Sequence, residues 1–163
     1  MFNAIILAGA DNQGALASVA PCSYEALLPV AGKPMFRYVL ETLLAVPAIG
    51  KIVIVGPQEL DPAEGWPQGV QRIAMENSLI TNMQAGMRAL DSSVPVLVVT
   101  SDIPLITQEA VSHFLQQCTG PAQIFYPLIP KEIMEREFPD SKRTFFRLRE
   151  GAFTGGNILL IDP

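Results

Sequence analysis

The chain has 163 residues, the size of one domain, with 49% hydrophobic and 17% charged residues and a formal net charge of -5. A chain of this length buries a substantial core without disulfide or metal staples. So acidic a balance argues against general binding to nucleic acid, which needs clustered Lys and Arg; it does not oppose a small anionic ligand in a locally positive pocket.

Two cysteines, Cys22 and Cys118, lie far apart and form neither a CxxC pair nor a zinc spacing, which suits free thiols in a reducing cytoplasm. The start, MFNAIILAGA, has no basic region and only a short apolar run. It reads as a buried first strand, not a signal peptide. No apolar stretch is long enough to span a bilayer. The expected setting is therefore the cytoplasm, with no membrane and no nucleic acid partner.

In chain order, Ala4–Leu7 is a continuous apolar run closed by Ala8-Gly9-Ala10, a strand and then a turn. Pro34 suits a first helical position, and Met35, Val39, Leu43 and Val46 follow at helical spacing. Lys51–Val55 is a β-branched strand closed by Gly56-Pro57, and Val70–Ala74 a shorter one. Ser78 caps a helix with Leu79, Met83, Gly86, Met87 and Leu90 on one side. Val94–Thr100 is the strongest strand. Thr107 begins a helix with Val111, Phe114, Leu115 and Cys118 on one face. Gln123–Tyr126 and Asn157–Ile161 complete six strands. Between them, Pro127–Gly156 holds three prolines, a short helix near Glu132–Phe138 and the basic cluster Lys142, Arg143, Arg147, Arg149; it reads as an excursion covering one side of the sheet. Alternation at this pitch predicts a mostly parallel sheet with helices on both sides. Ligands in such sheets sit beyond the carboxyl ends of the strands, where the strand order switches.

That rule directs attention to four segments. Ser101-Asp102-Ile103-Pro104 follows the strongest strand. A carboxylate there faces the crevice, and Mg²⁺ is typically held by one or two carboxylates plus substrate phosphates; the alternative is that Asp102 merely caps the turn. The loop Leu7–Gly14 has small residues whose amides can cradle phosphates, but it is neither a Walker A loop nor a GxGxxG fingerprint, and by itself it reads better as a plain strand-to-helix turn. Within Tyr24–Met35, Lys33 is placed to pair either a phosphate or a nearby carboxylate. In Phe153–Asn157, Gly155 and Gly156 permit close backbone approach to a ligand and Asn157 offers both donor and acceptor; a tight turn or bulge is the alternative. The lone histidine, His113, belongs on a solvated helix position, and no Ser-His-Asp or Cys-His arrangement is present.

In this order, IILAGA, EALLPVAGKPM, VTSDIPL and FTGGN resemble the nucleoside-triphosphate transferase (nucleotidyltransferase) family, over essentially the whole chain. That family includes sugar-phosphate nucleotidyltransferases and molybdenum-cofactor guanylyl- and cytidylyltransferases. The resemblance implies a three-layer α/β/α Rossmann-like sandwich, nucleotide-diphospho-sugar transferase-like. It implies attack of a phosphorylated small-molecule acceptor on the α-phosphate of a nucleoside triphosphate, with pyrophosphate released and Mg²⁺ as cofactor. By the same resemblance Asp102 would hold Mg²⁺, and Ala8, Gly9 and Ala10 would meet the nucleotide through their backbone. Ser78 would lie near base or ribose, and Gly155, Gly156 and Asn157 would face the acceptor. Lys33 is the nearest candidate for phosphate charge.

The sequence departs from the family pattern in three places. The opening loop lacks the basic residue that usually follows LAGG, with no Lys or Arg until Lys33. Glu25 stands where a lysine usually precedes the ALLPV-like run. The chain stops at Leu160-Ile161-Asp162-Pro163, where relatives usually continue, so both a fragment and a shortened relative stay open. Three readings follow: an Mg²⁺-dependent nucleotidyltransferase, a ligand-binding module of the same fold without turnover, and a glycosyltransferase, for which Ser101-Asp102-Ile103 supplies only one of the two carboxylates of a DxD motif. Phe36 and Tyr38 at the edge of the first helix are candidate contacts of a homodimer.

Overall fold

Three apolar runs and a shorter mixed strand build the centre of the domain. In the computed structural model, which describes residues 1–91 and 93–162, these are β1 (Phe2–Leu7), β4 (Ile49–Val55), β5 (Val70–Ile73) and β6 (Val96–Thr100). β1 pairs in parallel with β4 on one side and β6 on the other, and β4 with β5. Alternate side chains point to opposite faces. Ala4, Ile6, Ile52, Ile54, Leu97 and Val99 join one core cluster, and Ile5, Leu7, Val53, Val55, Val96 and Val98 the other. Burial on both faces explains why these strands read as continuous apolar runs and not as alternations.

The helices complete the layers. α1 (Met35–Ala45) and α3 (Gln108–Gln117) cover one face, inserting Phe36, Val39, Leu40, Leu43, Val111 and Leu115. α2 (Leu79–Arg88) covers the other, with Met83 and Met87 against the second cluster. The result is the three-layer α/β/α sandwich expected from the sequence. Phe36, read above as a dimer contact, is 2% exposed and packs edge-on to Trp66. Tyr38 is occupied within the chain as well, its hydroxyl donating to the Val30 carbonyl at 2.7 Å.

The caps form largely as read. The Ser78 hydroxyl accepts from the Thr81 amide at 3.2 Å in a capping box, and Thr107 caps α3 through the Ala110 amide. Pro34 differs: it is the last extended residue before α1, with φ -56° and ψ 137°. It ends a two-residue hairpin of β2 (Pro29–Val30) and β3 (Lys33–Pro34), turned by Ala31 (φ 48°) and Gly32 (φ 82°). Positive φ at both turn residues is the geometry that matches strand twist. Leu79, read on the apolar side of α2, is 65% exposed.

The remaining strands change the picture beyond β6. The central sheet has the order β5-β4-β1-β6-β11-β7. β11 (Ile158–Ile161) lies antiparallel to both β6 and β7 (Ile124–Phe125). The excursion before it does not simply lie over the sheet. It builds its own antiparallel sheet, β8-β10-β9, from Leu128–Pro130, Gly151–Gly155 and Phe146–Leu148, with α4 (Lys131–Glu137) packed on β8 and β10. Among the described residues, no helix is long and apolar enough to cross a membrane.

α2 approaches the sheet closely at Gly86, where a Cβ would stand 2.8 Å from Cδ1 of the fully buried Ile5. Overpacking of this kind costs about 1–3 kcal/mol, more than the ~1 kcal/mol of helix propensity that replacing a glycine returns. Gly86→Leu is therefore expected to lower the melting temperature by several degrees, read by circular dichroism; an unchanged or raised value would mean that α2 does not rest on β1 at this point.

Candidate active site

From β1 the chain proceeds outward to β4 and β5, then returns to the other side of β1 to form β6. The strand order therefore switches between β1 and β6, and the crevice opens beyond their carboxyl ends. A cleft of about 320 Å³ lies there. The loop after β1 contributes Gly9 and Ala10, the loop after β6 contributes Ser101 and Asp102, and Glu76, Asn77, Ser78, Leu79 and Asn82 come from the entry and first turn of α2. Glu25 closes the remaining side. It is delivered there because the loop after β1 folds back on itself through a bridge between Asp11 and Tyr24, after which the Glu25 amide donates to the Ala10 carbonyl at 3.0 Å.

Asp102 is the best-held carboxylate of the cleft. Its Oδ1 accepts from the Thr100 hydroxyl and from Asn157 Nδ2, the latter at 3.0 Å. Asn157 Nδ2 also donates to Thr100 Oγ1 at 3.0 Å, closing a triangle of three side chains. The antiparallel pairing of β11 with β6 explains the meeting: it sets the start of β11 beside the end of β6, where the Thr100 amide donates to the Asn157 carbonyl at 3.1 Å.

Glu25 faces Asp102. Its carboxyl is raised above the usual range, first by burial and second by the negative charge of Asp102. Glu76, the third acid, is paired with Arg88 at 2.8 Å. Among the described residues, no Lys or Arg lines the cleft. Two uncompensated carboxylates side by side suit one divalent cation, since Mg²⁺ uses one or two carboxylates and takes its other ligands from water and phosphate. No group of three or more metal-ligating side chains converges among the described residues, and a Mg²⁺ site completed by substrate does not require one.

The other sequence candidates divide. Gly9 and Ala10 line the cleft, and their amides have no acceptor among the described residues. Gly9 also lets the loop lie against Met75 and Asn82, since a Cβ there would stand 3.0 Å from the Met75 sulfur. Ala8 does not reach the cleft: it is fully buried and its amide donates to Val55 at 2.8 Å, because it prolongs the pairing of β1 with β4. Ser78 is at the rim, its hydroxyl engaged in the cap. Lys33 is not in the lining. Its ammonium pairs with Glu41 of α1 and lies 4.0 Å from the centre of the Tyr38 ring. The basic cluster Lys142, Arg143, Arg147 and Arg149 is exposed and likewise outside the lining.

Gly155 and Gly156 permit close approach, but of the chain's own side chains. A Cβ on Gly155 would fall 1.9 Å from the Tyr126 hydroxyl, and one on Gly156 would fall 2.9 Å from the Pro127 ring. Gly156 and Asn157 border a second, apolar groove of about 220 Å³, with Ile80, Met83 and Tyr126. It adjoins the first through the shared residues Leu7, Leu79 and Thr100. His113 is exposed on α3, as read.

The sequence reading missed Asn82. It is 8% exposed, its Oδ1 accepts from the Glu76 amide, and it lines the cleft. Because a backbone N–H can be accepted only by the amide oxygen, Nδ2 is left as a donor. A signal was available: Asn82 sits four residues before Gly86, on the same buried side of α2, where a polar residue is out of pattern.

A doubly wound sheet with a carboxylate at its switch point, flanked by small-residue loops and a helix entry, defines an α/β domain with its ligand crevice beyond the strand ends. The model of the MobA-like NTP transferase domain family matches residues 4–150, and the chain belongs to that family. It is 28% identical over 141 residues, 82% of its length, to the bifunctional protein GlmU of Thermus thermophilus, and 32% identical over 101 residues to GlmU of Rhizorhabdus wittichii. It spans only 29% and 22% of those proteins. Among solved structures, a hypothetical transferase from Thermus thermophilus superposes with a TM-score of 0.78 at 38% identity, over 99% of this chain and 65% of that one. The 4-diphosphocytidyl-2C-methyl-D-erythritol synthase of Anaerococcus prevotii follows the same fold, with a TM-score of 0.72 at 14% identity, over 99% of this chain and 70% of that one.

Proposed function

We propose that the domain is a Mg²⁺-dependent nucleotidyltransferase: it binds a nucleoside triphosphate in the cleft between β1, β6 and α2 and transfers the nucleotidyl group to a phosphorylated small molecule, releasing pyrophosphate. The observation that carries this reading is Asp102, held by two donors at the switch point of a chain that belongs to the NTP transferase family. Asp102 would hold the cation, with Glu25 as the neighbouring carboxylate. When bound, a divalent cation supplies the positive charge that a triphosphate needs in a cleft lined, among the described residues, by no Lys or Arg.

The work left to the protein is positioning. The Gly9 and Ala10 amides are free to donate to phosphoryl oxygens, and the exposed Leu79 offers an apolar surface to base or ribose beside Ser78 and the Asn82 amide. The adjoining groove beside Gly156 and Asn157 is the place for the acceptor. An acceptor phosphate oxygen attacks the α-phosphorus, the bond from that phosphorus to the bridging oxygen breaks, and pyrophosphate leaves with both electrons of that bond. Lys33 is assigned no phosphate contact, because its ammonium is engaged by Glu41.

The test is a thermal-shift panel of ATP, GTP, CTP and UTP, each with and without Mg²⁺. Nucleotide at about 100 times its Kd adds ~2.7 kcal/mol, which raises Tm by roughly 5–10 °C for a domain of this size. One nucleotide is expected to give such a shift only with Mg²⁺. No shift with any of the four would overturn the proposal. The second reading, a binding module without turnover, is favoured by Glu25 in place of a lysine; it is separated by pyrophosphate release, which the transferase reading requires once the acceptor is supplied.

A further inference from the structure

We infer that Thr100 and Asn157 are positioning residues for Asp102, setting which of its oxygens is presented to a cation. This rests on the metal reading of Asp102 and adds to it. A lone carboxylate on a loop rotates about χ1 and χ2, and each ordered rotor costs entropy when a ligand binds. Here the rotation is already restricted. Both hydrogen bonds converge on Oδ1, from the Thr100 hydroxyl and from Asn157 Nδ2. Asn157 Nδ2 in turn fixes the Thr100 rotor, because it donates to Thr100 Oγ1 and leaves the hydroxyl proton directed at Asp102. With Oδ1 receiving two donors, Oδ2 is the oxygen left to the cleft.

The two residues reach Asp102 by different routes. Thr100 is two residues away on β6, whereas Asn157 is 55 residues away and arrives only because β11 runs antiparallel to β6. Asn157 also borders the apolar groove that adjoins the cleft. One side chain thereby touches the place assigned to the acceptor and holds the carboxylate assigned to the cation. Residues that orient a metal ligand in this way are typically worth 10- to 100-fold in metal affinity.

The experiment titrates Mn²⁺ alone into the protein and follows free Mn²⁺ by electron paramagnetic resonance, for wild type, Asp102→Asn, Thr100→Val, Thr100→Ser and Asn157→Ala. Thr100→Val keeps the shape in a strand already built of valines and removes the hydroxyl; Thr100→Ser keeps the hydroxyl. Asn157→Ala keeps the backbone carbonyl that pairs with Thr100. The expected result is Asp102-dependent binding in wild type, weakened 10- to 100-fold by Thr100→Val and by Asn157→Ala, and restored by Thr100→Ser. Without metal, Thr100→Val and Asn157→Ala are expected to keep the circular-dichroism spectrum and melting temperature of wild type, an outcome that general damage to the fold would not give. Wild-type affinity in both Thr100→Val and Asn157→Ala, with Asp102→Asn inactive in binding, overturns the inference and leaves the metal reading standing. A loss in Thr100→Ser as large as that in Thr100→Val also overturns it, because the hydroxyl would then not be the group that acts. Binding that does not depend on Asp102 overturns both.

Discussion

Replacing Asp102 by alanine is expected to abolish the Mg²⁺-dependent part of nucleotide binding while leaving the fold intact. The side chain is exposed at the mouth of the cleft, and its hydrogen bonds are to groups that water can serve equally well once it is gone. The stability of the free protein should therefore change by little, within about 1 kcal/mol. Binding is a different matter. Among the described residues the cleft holds two uncompensated carboxylates and no cationic side chain, so on the proposed function a triphosphate would enter only with a divalent cation that Asp102 would help to hold. The measurement is the thermal-shift panel repeated on Asp102→Ala. A shift of roughly 5–10 °C in wild type should fall to below about 2 °C in the variant. A full shift in Asp102→Ala would remove this residue from the site.

The second large effect is expected at Glu25, in the opposite direction. Glu25 lies in the cleft wall with its carboxyl raised by burial and by Asp102. Glu25→Lys removes a negative charge facing the phosphates and adds a positive one. At the effective dielectric of a partly buried site, two such unit changes amount to at least ~1.4 kcal/mol, about tenfold tighter triphosphate binding. The metal dependence should weaken at the same time, because part of the charge neutralisation then comes from the protein. Titration calorimetry with the nucleotide selected by the panel reads both. Equal or weaker affinity would mean that Glu25 does not face the phosphates.

The same residue fixes a sign for pH. Because the folded-state pKa of Glu25 is raised, its ionised form opposes folding, and that cost is present at neutral pH and relieved as pH falls through the folded pKa. Glu25→Gln should accordingly raise Tm at pH 7, with the gain over wild type disappearing in acid. A gain that persisted unchanged at low pH would point to a packing effect and not to charge.

Much of this architecture was legible residue by residue. Ala4–Leu7, Lys51–Val55 and Asn157–Ile161 read as strands and lie within β1, β4 and around β11. Runs of apolar residues carry that information locally, since strands buried on both faces need nothing polar within them. The caps at Ser78 and Thr107 were equally local, because a hydroxyl meets an amide three residues on. The place of Asp102 followed from its position after the strongest strand together with the rule for where such sheets bind. Glu25 stood out because it interrupts a pattern that is otherwise matched.

What lay beyond the sequence were meetings between distant residues. Gly155 and Gly156 looked available to a ligand, yet Tyr126 and Pro127, from the other end of the excursion, take that space. Lys33 looked available to phosphate until the hairpin turned it toward Glu41. Ala8 looked like loop until the partner strand β4 engaged its amide. Asn157 looked like an acceptor contact, and the reversed direction of β11 brought it to Asp102 as well. The sequence by itself determined where the strands and helices form, which faces they bury and which loop carries the carboxylate, because hydrophobic periodicity and capping act over a few neighbouring residues. The tertiary structure alone decided which polar groups meet, because strand order and direction are set by packing the whole sheet, and a side chain's partner depends on that arrangement more than on its own neighbours in the chain.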